Sequence, residues 1–170
     1  RIPPPFTPDD VGNLTGDGDL ARLDAATRDE LAMALALNPL LHGVRRNLPD
    51  AAWVYYTSAR GFIHIHPWVP STQARFSPAM FDKPFYRLGL PAQNPERAIR
   101  WTPMYVDLYG KGMMVTATLP VYRGDAFLGT VSIDLTLDEL TAYVRDFKGS
   151  DGALMIVNAS GQLIAHPSAT

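Results

Sequence analysis

Residues 112–147, GMMVTATLPVYRGDAFLGTVSIDLTLDELTAYVRDF, decide the fold of this chain. Two runs rich in β-branched and apolar residues flank Arg123-Gly124-Asp125, whose Gly-Asp pair is what a tight hairpin turn requires. A turn centred on Gly124 sets Thr118 opposite Thr130 and Thr116 opposite Ser132, so even-numbered residues face even-numbered ones. Because side chains alternate along a strand, one face receives Thr116, Thr118, Thr130, Ser132 and Asp134. The other receives Met113, Val115, Ala117, Leu119, Phe127, Val131 and Ile133, which makes one face core and the other polar. Directly afterwards Thr136 and Glu139 have the spacing of a capping box, and Leu135 and Leu140 that of a hydrophobic staple. Leu137, Leu140, Tyr143, Val144 and Phe147 then share one side of a helix.

Upstream, residues 1–19 are rich in Pro, Gly and Asp without periodicity and read as an irregular lead-in. Leu20, Leu23, Leu31, Ala34 and Leu35 approach helical spacing, with Thr27 and Glu30 as a capping box. Asn38-Pro39 ends this helix and suits the cap and first position of a second. After Pro49-Asp50, the run AWVYYTSARGFIHIHPW reads as a hairpin turning at Ser58-Ala59-Arg60-Gly61. Residues 69–100 hold many prolines and one short helical stretch, Met80 to Leu88. So long an irregular segment in a compact domain is usually functional.

With 170 residues, 46% of them apolar, the chain suits one sizeable core. A net charge of −2 with scattered Lys and Arg argues against nucleic acid as a partner. The absence of cysteine excludes disulfides, thiolate catalysis and cysteine zinc sites. No apolar run approaches the ~18–20 residues of a membrane helix. No nucleophile elbow, phosphate loop or metalloprotease helix motif is present. His64 and His66 fall on one face of a strand, as paired metal ligands do, but no third ligand is identifiable and no metal or cofactor is expected.

RGFIHIHP, residues 60–67, matches SGQLIAHP, residues 160–167, at a single offset: Gly61 with Gly161, Ile63 with Leu163, His66 with His166 and Pro67 with Pro167. Internal similarity at a fixed offset marks tandem copies of a fold. Both ends of the chain read as cut sites within a longer protein, and three parts are expected. These are a lead-in over 1–19, a complete first domain over 20–150, which the resemblance described next makes a sensor domain, and the start of a second, truncated domain over 151–170.

YYTSARGFIHIHP, then WTPMYVDLYGKGMMVTATLPVY from Trp101, then FLGTVSIDLTLDEL from Phe127, together resemble the membrane-distal half of a double Cache sensor domain, and NASGQLIAHP resembles the start of the proximal half. The resemblance implies an α+β, PAS-like fold: a central antiparallel sheet, a long N-terminal helix on one face and a loop-covered ligand pocket on the other. It further implies an extracytoplasmic, periplasmic sensor of a bacterial inner-membrane receptor, whether histidine kinase, diguanylate cyclase or chemoreceptor. The receptor would be membrane-tethered at full length, dimeric through the N-terminal helix, and would bind a small polar metabolite such as an amino acid, organic acid or amine.

Some members hold amino acids with an Arg, an aromatic pair, a Tyr and two acids. Lys83, Phe85 and Tyr86 stand where the Arg and the aromatic pair would be, followed by Tyr105, Asp107 and Asp134. Lys in place of Arg departs from the pattern, since an ammonium grips a carboxylate only as a point charge. Trp101 adds an apolar wall, and Thr116 and Ser132 a polar floor. Two other readings remain open: a structural or dimerising module without ligand, and a hydrolase using Asp107 and Asp134 as paired carboxylates.

Overall fold

The computed structural model describes residues 7, 11–147, 149, 152–158 and 161–168. Its centre is a seven-stranded antiparallel sheet. The path runs β1 (Asn13–Gly16), β3 (Phe62–His66), β2 (Ala51–Ser58), β7 (Ala126–Thr136), β6 (Met113–Arg123), β4 (Arg100–Trp101), with β5 (Tyr105–Val106) also on β6. Both hairpins read from the sequence are present, β2 with β3 and β6 with β7. Asn13–Gly16, read above as part of an irregular lead-in, is instead the edge strand beside β3. A four-residue strand that ends on a glycine is too short to show a period, and its pairing comes from tertiary context.

The long hairpin differs from its expected register. Beside the turn Arg123 faces Ala126 and Tyr122 faces Phe127, but beyond it Val121 faces Gly129, leaving Leu128 as an extra, bulged residue. Thr118 therefore pairs with Ser132, and Thr116 with Asp134. Gly129 is required here: a Cβ on it would stand 2.1 Å from the carbonyl oxygen of Thr57 on β2.

Helices α1 (Ala25–Ala36) and α2 (Asn38–Asn47) cover one face, divided at Leu37 as Asn38-Pro39 predicts, so the expected long helix is a pair. Ala34 packs against Tyr56 and Phe62, and Leu41 against Ala51 and Val54. The expected Thr27–Glu30 capping box does not form. Asp24 caps α1 by accepting from the Thr27 amide at 2.6 Å. Glu30 is instead buried against the sheet, where it accepts from the Tyr56 and Ser58 hydroxyls and pairs with Arg60 at 3.1 Å. Asn38 does not cap α2; its carboxamide oxygen accepts from the Gly12 amide.

Residues 69–100 fold over the opposite face through a short 3-10 turn, Pro78–Asp82, and α3, Pro84–Arg87, split by Lys83-Pro84. Phe76, Met80, Phe85 and Tyr86 meet Trp53, Tyr55, Ile63, Ile65 and Met114 there. The polar residues expected to line an open face thus lie deeper than the apolar ones behind them. Thr116, Thr118, Thr130, Ser132 and Asp134 are all buried, whereas Ala117, Leu119, Val131 and Ile133 are only half-buried. Pairing makes this tolerable for four of the five, though not for the Thr130 hydroxyl: Thr116 donates to Asp134, Ser132 to Thr118 at 3.0 Å, and Thr118 to the carbonyl of Phe85 at 2.8 Å.

Helix α4 (Leu137–Asp146) begins with the expected capping box, worth about 1 kcal/mol. Of its expected apolar side only Val144 is buried, and Tyr143 and Phe147 are exposed. A separate hairpin, β8 (Ile156–Val157) with β9 (Leu163–Ala165), packs on α4. It repeats features of the β2–β3 turn at the same offset. Gly61 donates to Ser58 O and Gly161 to Asn158 O, and both glycines have positive φ. The pair Thr57–Ile63 matches Val157–Leu163.

Candidate functional site

Alternation along β2 sends Trp53 and Tyr55 to the face under residues 69–100, and Val54 and Tyr56 to the helix face. Cross-strand pairing then brings Trp53 opposite Asp134. Ile63 and Ile65 of β3, Met80 and Phe85 of the covering segment, Tyr105 of β5, and Asp107, Leu108 and Tyr109 of the following loop complete a cavity around these residues. Its free volume is about 20 Å³, room for one water.

Asp134 is 3% exposed. Its Oδ1 accepts from the Tyr55 hydroxyl at 3.0 Å and from Thr116 Oγ1 at 2.6 Å, and Tyr105 reaches Thr116 Oγ1 at 2.6 Å. Burial outweighs these donors and raises the Asp134 carboxyl to about 7, with the charge of Asp107 acting in the same direction. The buried Tyr55 hydroxyl is pushed well up by desolvation and by Asp134, so it stays protonated and donates. Asp107 Oδ2 accepts from the Lys111 amide at 2.8 Å and, more weakly, from Trp53 Nε1 at 3.4 Å. Among the described residues the Lys111 ammonium forms no ion pair with either acid. It lies 3.9 Å over the Trp53 ring and donates to the carbonyl of Ala52, and burial lowers its pKa.

The lining of this cavity holds two carboxylates, five aromatic rings and no basic side chain. Such a space attracts a positively charged group, by its acids and by the faces of its rings.

Of the residues chosen from the sequence, Phe85, Tyr105, Asp107 and Asp134 come together around the cavity, and Thr116 bonds to Asp134 from the sheet. Ser132 lies further along the floor, bonded to Thr118. Tyr86 turns away, stacked between Phe81 and Phe127. Lys83 caps α3 and is outside the lining. Trp101 is 57% exposed; it pairs with Ala117, which puts it on the far face, beside a groove formed with Val115, Leu140 and Ile164. Trp53, Tyr55, Ile63, Ile65, Met80, Leu108 and Tyr109 were not anticipated. The alternation of Trp53 and Tyr55 is the signal that would have found the first two. His64 and His66 are buried toward the helices, where His64 Nδ1 lies 2.7 Å from Ala34 O. Among the described residues no group of three metal-ligating side chains exists.

No family model matches the chain. Methyl-accepting chemotaxis protein McpC of Bacillus subtilis is 33% identical over 87 residues, which is 51% of this chain and 13% of that protein. The human voltage-dependent calcium channel subunit alpha-2/delta-2 is 27% identical over 95 residues, 48% of this chain and 8% of that subunit. The chain therefore spans a small part of these relatives. Among solved structures, the ligand-binding domain of the Campylobacter jejuni chemoreceptor Tlp3, in complex with 4-methylisoleucine, superposes with a TM-score of 0.60 at 18% identity, covering 88% of this chain and 57% of that one. The fold is that of a Cache-type sensor domain. The ligand-binding domain of Pseudomonas fluorescens CtaA, in complex with L-serine, agrees, with a TM-score of 0.56 at 19% identity over 84% of this chain and 62% of that one. Both are ligand-binding domains of chemoreceptors.

Proposed function

We propose that this Cache-type domain is the extracytoplasmic ligand-binding part of a membrane chemoreceptor, and that its ligand is a small molecule carrying a protonated amine. One observation carries the ligand class: Asp107 and Asp134 line a small aromatic cavity whose lining contains no basic side chain. An organic acid would be repelled by Asp107 and by the ionised form of Asp134, whereas an ammonium would favour that ionised form and pair with both. The amino-acid complexes of Tlp3 and CtaA support an amine-bearing ligand. The matched Gly61 and Gly161 turns support the reading of residues 151–170 as the start of a second copy of the fold. Among the described residues no helix is long and apolar enough to cross a membrane, so tethering is assigned to the rest of the receptor. Leu35 and Leu40, exposed on the helical pair, support dimerisation through it.

Strand β2 offers a route for the signal. Tyr55 reaches Asp134 in the cavity, and the next residue, Tyr56, reaches Glu30 on α1. A ligand that displaces the Tyr55 hydroxyl from Asp134 acts on the strand that anchors the helix, provided it binds the two arrangements with different affinity. The test is thermal stabilisation across amines, amino acids and organic acids, which scales as RT ln(1 + [L]/Kd). Amine-bearing compounds should raise Tm. Stabilisation by organic acids alone would overturn the ligand class, and turnover of a screened compound would overturn the sensor reading.

A further inference from the structure

We infer that the cavity is reached through the groove between the end of β1, residues 71–75 and Tyr109, and that the Tyr109 hydroxyl latches this entrance. The inference rests on the ligand site proposed above. Of the eleven residues around the cavity, eight are buried, Tyr105 and Tyr109 are half-buried, and Leu108 is 45% exposed. Any path to solvent passes these three. Tyr105 is fastened inward, its hydroxyl on Thr116 beside Asp134, so it serves as a wall.

Leu108 and Tyr109 differ, because they line two spaces at once. On their inner side is the small cavity around Asp134, and on their outer side a shallower groove that also borders Thr15, Thr72 and Arg75. The Tyr109 ring packs edge-on against Trp53, with centroids 6.0 Å apart, while its hydroxyl donates to the main-chain oxygen of Arg75 at 3.1 Å. One side chain thus ties the loop after β5 to the loop after β3, directly over the cavity. The tie is exposed to solvent, so opening it costs no more than the net value of one hydrogen bond. The base of the same loop is held independently, by the Asp107 amide on Gly112 O and by Lys111 on Trp53 and Ala52. Tyr109 can therefore swing outward while Asp107 stays in place.

The chain has no cysteine, so a single introduced thiol reports on access. In Ile65→Cys the thiol lies in the cavity wall, and its rate of modification by neutral methyl methanethiosulfonate is measured. Tyr109→Phe in this background should raise the rate about two- to tenfold, the value of one hydrogen bond. Tyr109→Ala should raise it further, with Tm unchanged within a few degrees. Arg75→Ala should leave it unchanged, since the acceptor is main chain. Rates unaffected by both Tyr109 variants, or raised instead by Thr118→Val, which frees the carbonyl of Phe85, would overturn the entrance and move it under residues 78–87. Met80→Cys repeats the measurement from the opposite wall if Ile65→Cys folds poorly. Charged reagents test the underlying site separately. The aminoethyl reagent should outpace the sulfonatoethyl one in Tyr109→Ala, and the reverse order would sink the amine reading while leaving the entrance intact.

Discussion

The sheet buries a carboxylate on each of its faces, and the two are treated in opposite ways. Glu30, on the helix face, meets Arg60 at 3.1 Å and two hydroxyl donors, so its charge is neutralised within the fold. Asp134, on the cavity face, has hydroxyl donors only, and no ion pair among the described residues reaches it. A buried charge without a partner is costly. The fold supplies an arginine to one buried acid and leaves the other to hold its proton up to about 7. On the function proposed above, Glu30 belongs to the structure and Asp134 to the ligand.

The largest effect that would break this contrast is on binding. Asp134→Asn should lower affinity for an amine-bearing ligand at least ~100-fold, by isothermal titration calorimetry, because a charge-assisted contact becomes a neutral one. Its urea midpoint at pH 8 should equal or exceed that of the wild type. A variant that unfolds instead would place Asp134 with Glu30 as a structural acid.

Glu30→Ala should do the reverse, lowering unfolding free energy by about 3 kcal/mol as Arg60, Tyr56 and Ser58 lose their acceptor. Ligand affinity of the folded fraction should change little.

The pH response sharpens the comparison next. Asp134 is raised to about 7 in the fold, so the folded state holds its proton where the unfolded chain has lost it. Stability from this group is full below pH ~4 and is lost as pH rises toward 7. Burial lowers His64 on the helix face, so its contribution is present above about 6.5 and is lost as pH falls. The wild-type profile should therefore be shallow between pH 4 and 7. Asp134→Asn should convert it to one that falls only toward acid, as read by Tm against pH.

The smallest effect is expected of Tyr55→Phe, which removes one of the two donors to Asp134. It should cost about 1 kcal/mol in stability above pH 7, less at pH 5, and raise the carboxyl further. Equal costs at both values would detach Tyr55 from the ionised form.

What was legible in the sequence was local. The capping box at Thr136 and Glu139, the two hairpins and the break at Asn38-Pro39 all depend on neighbours a few residues apart, and all are present. Asp107 and Asp134 were also within reach. The rest depended on pairing between distant strands. Trp101 reads as a pocket aromatic until β4 is known to set it beside Ala117, on the far face. Tyr55 reads as core until β2 is laid against β7, where its neighbour Trp53 faces Asp134. Phe85 and Tyr86 are adjacent in sequence, but one turn of helix sends them to different neighbours. Glu30 had the right spacing for a cap, and only the approach of β2 draws it inward.

The bulge at Leu128 has a consequence of its own. Were the spacing beside the turn continued, Thr116 would lie opposite Ile133, and Asp134 would emerge beneath α2 while an isoleucine looked into the cavity. One residue of length thus sets the phase of the whole strand. Position 128 should accept many side chains, yet removal of a residue there would exchange the chemistry of the two faces, so the proposed site is encoded in counting as much as in composition.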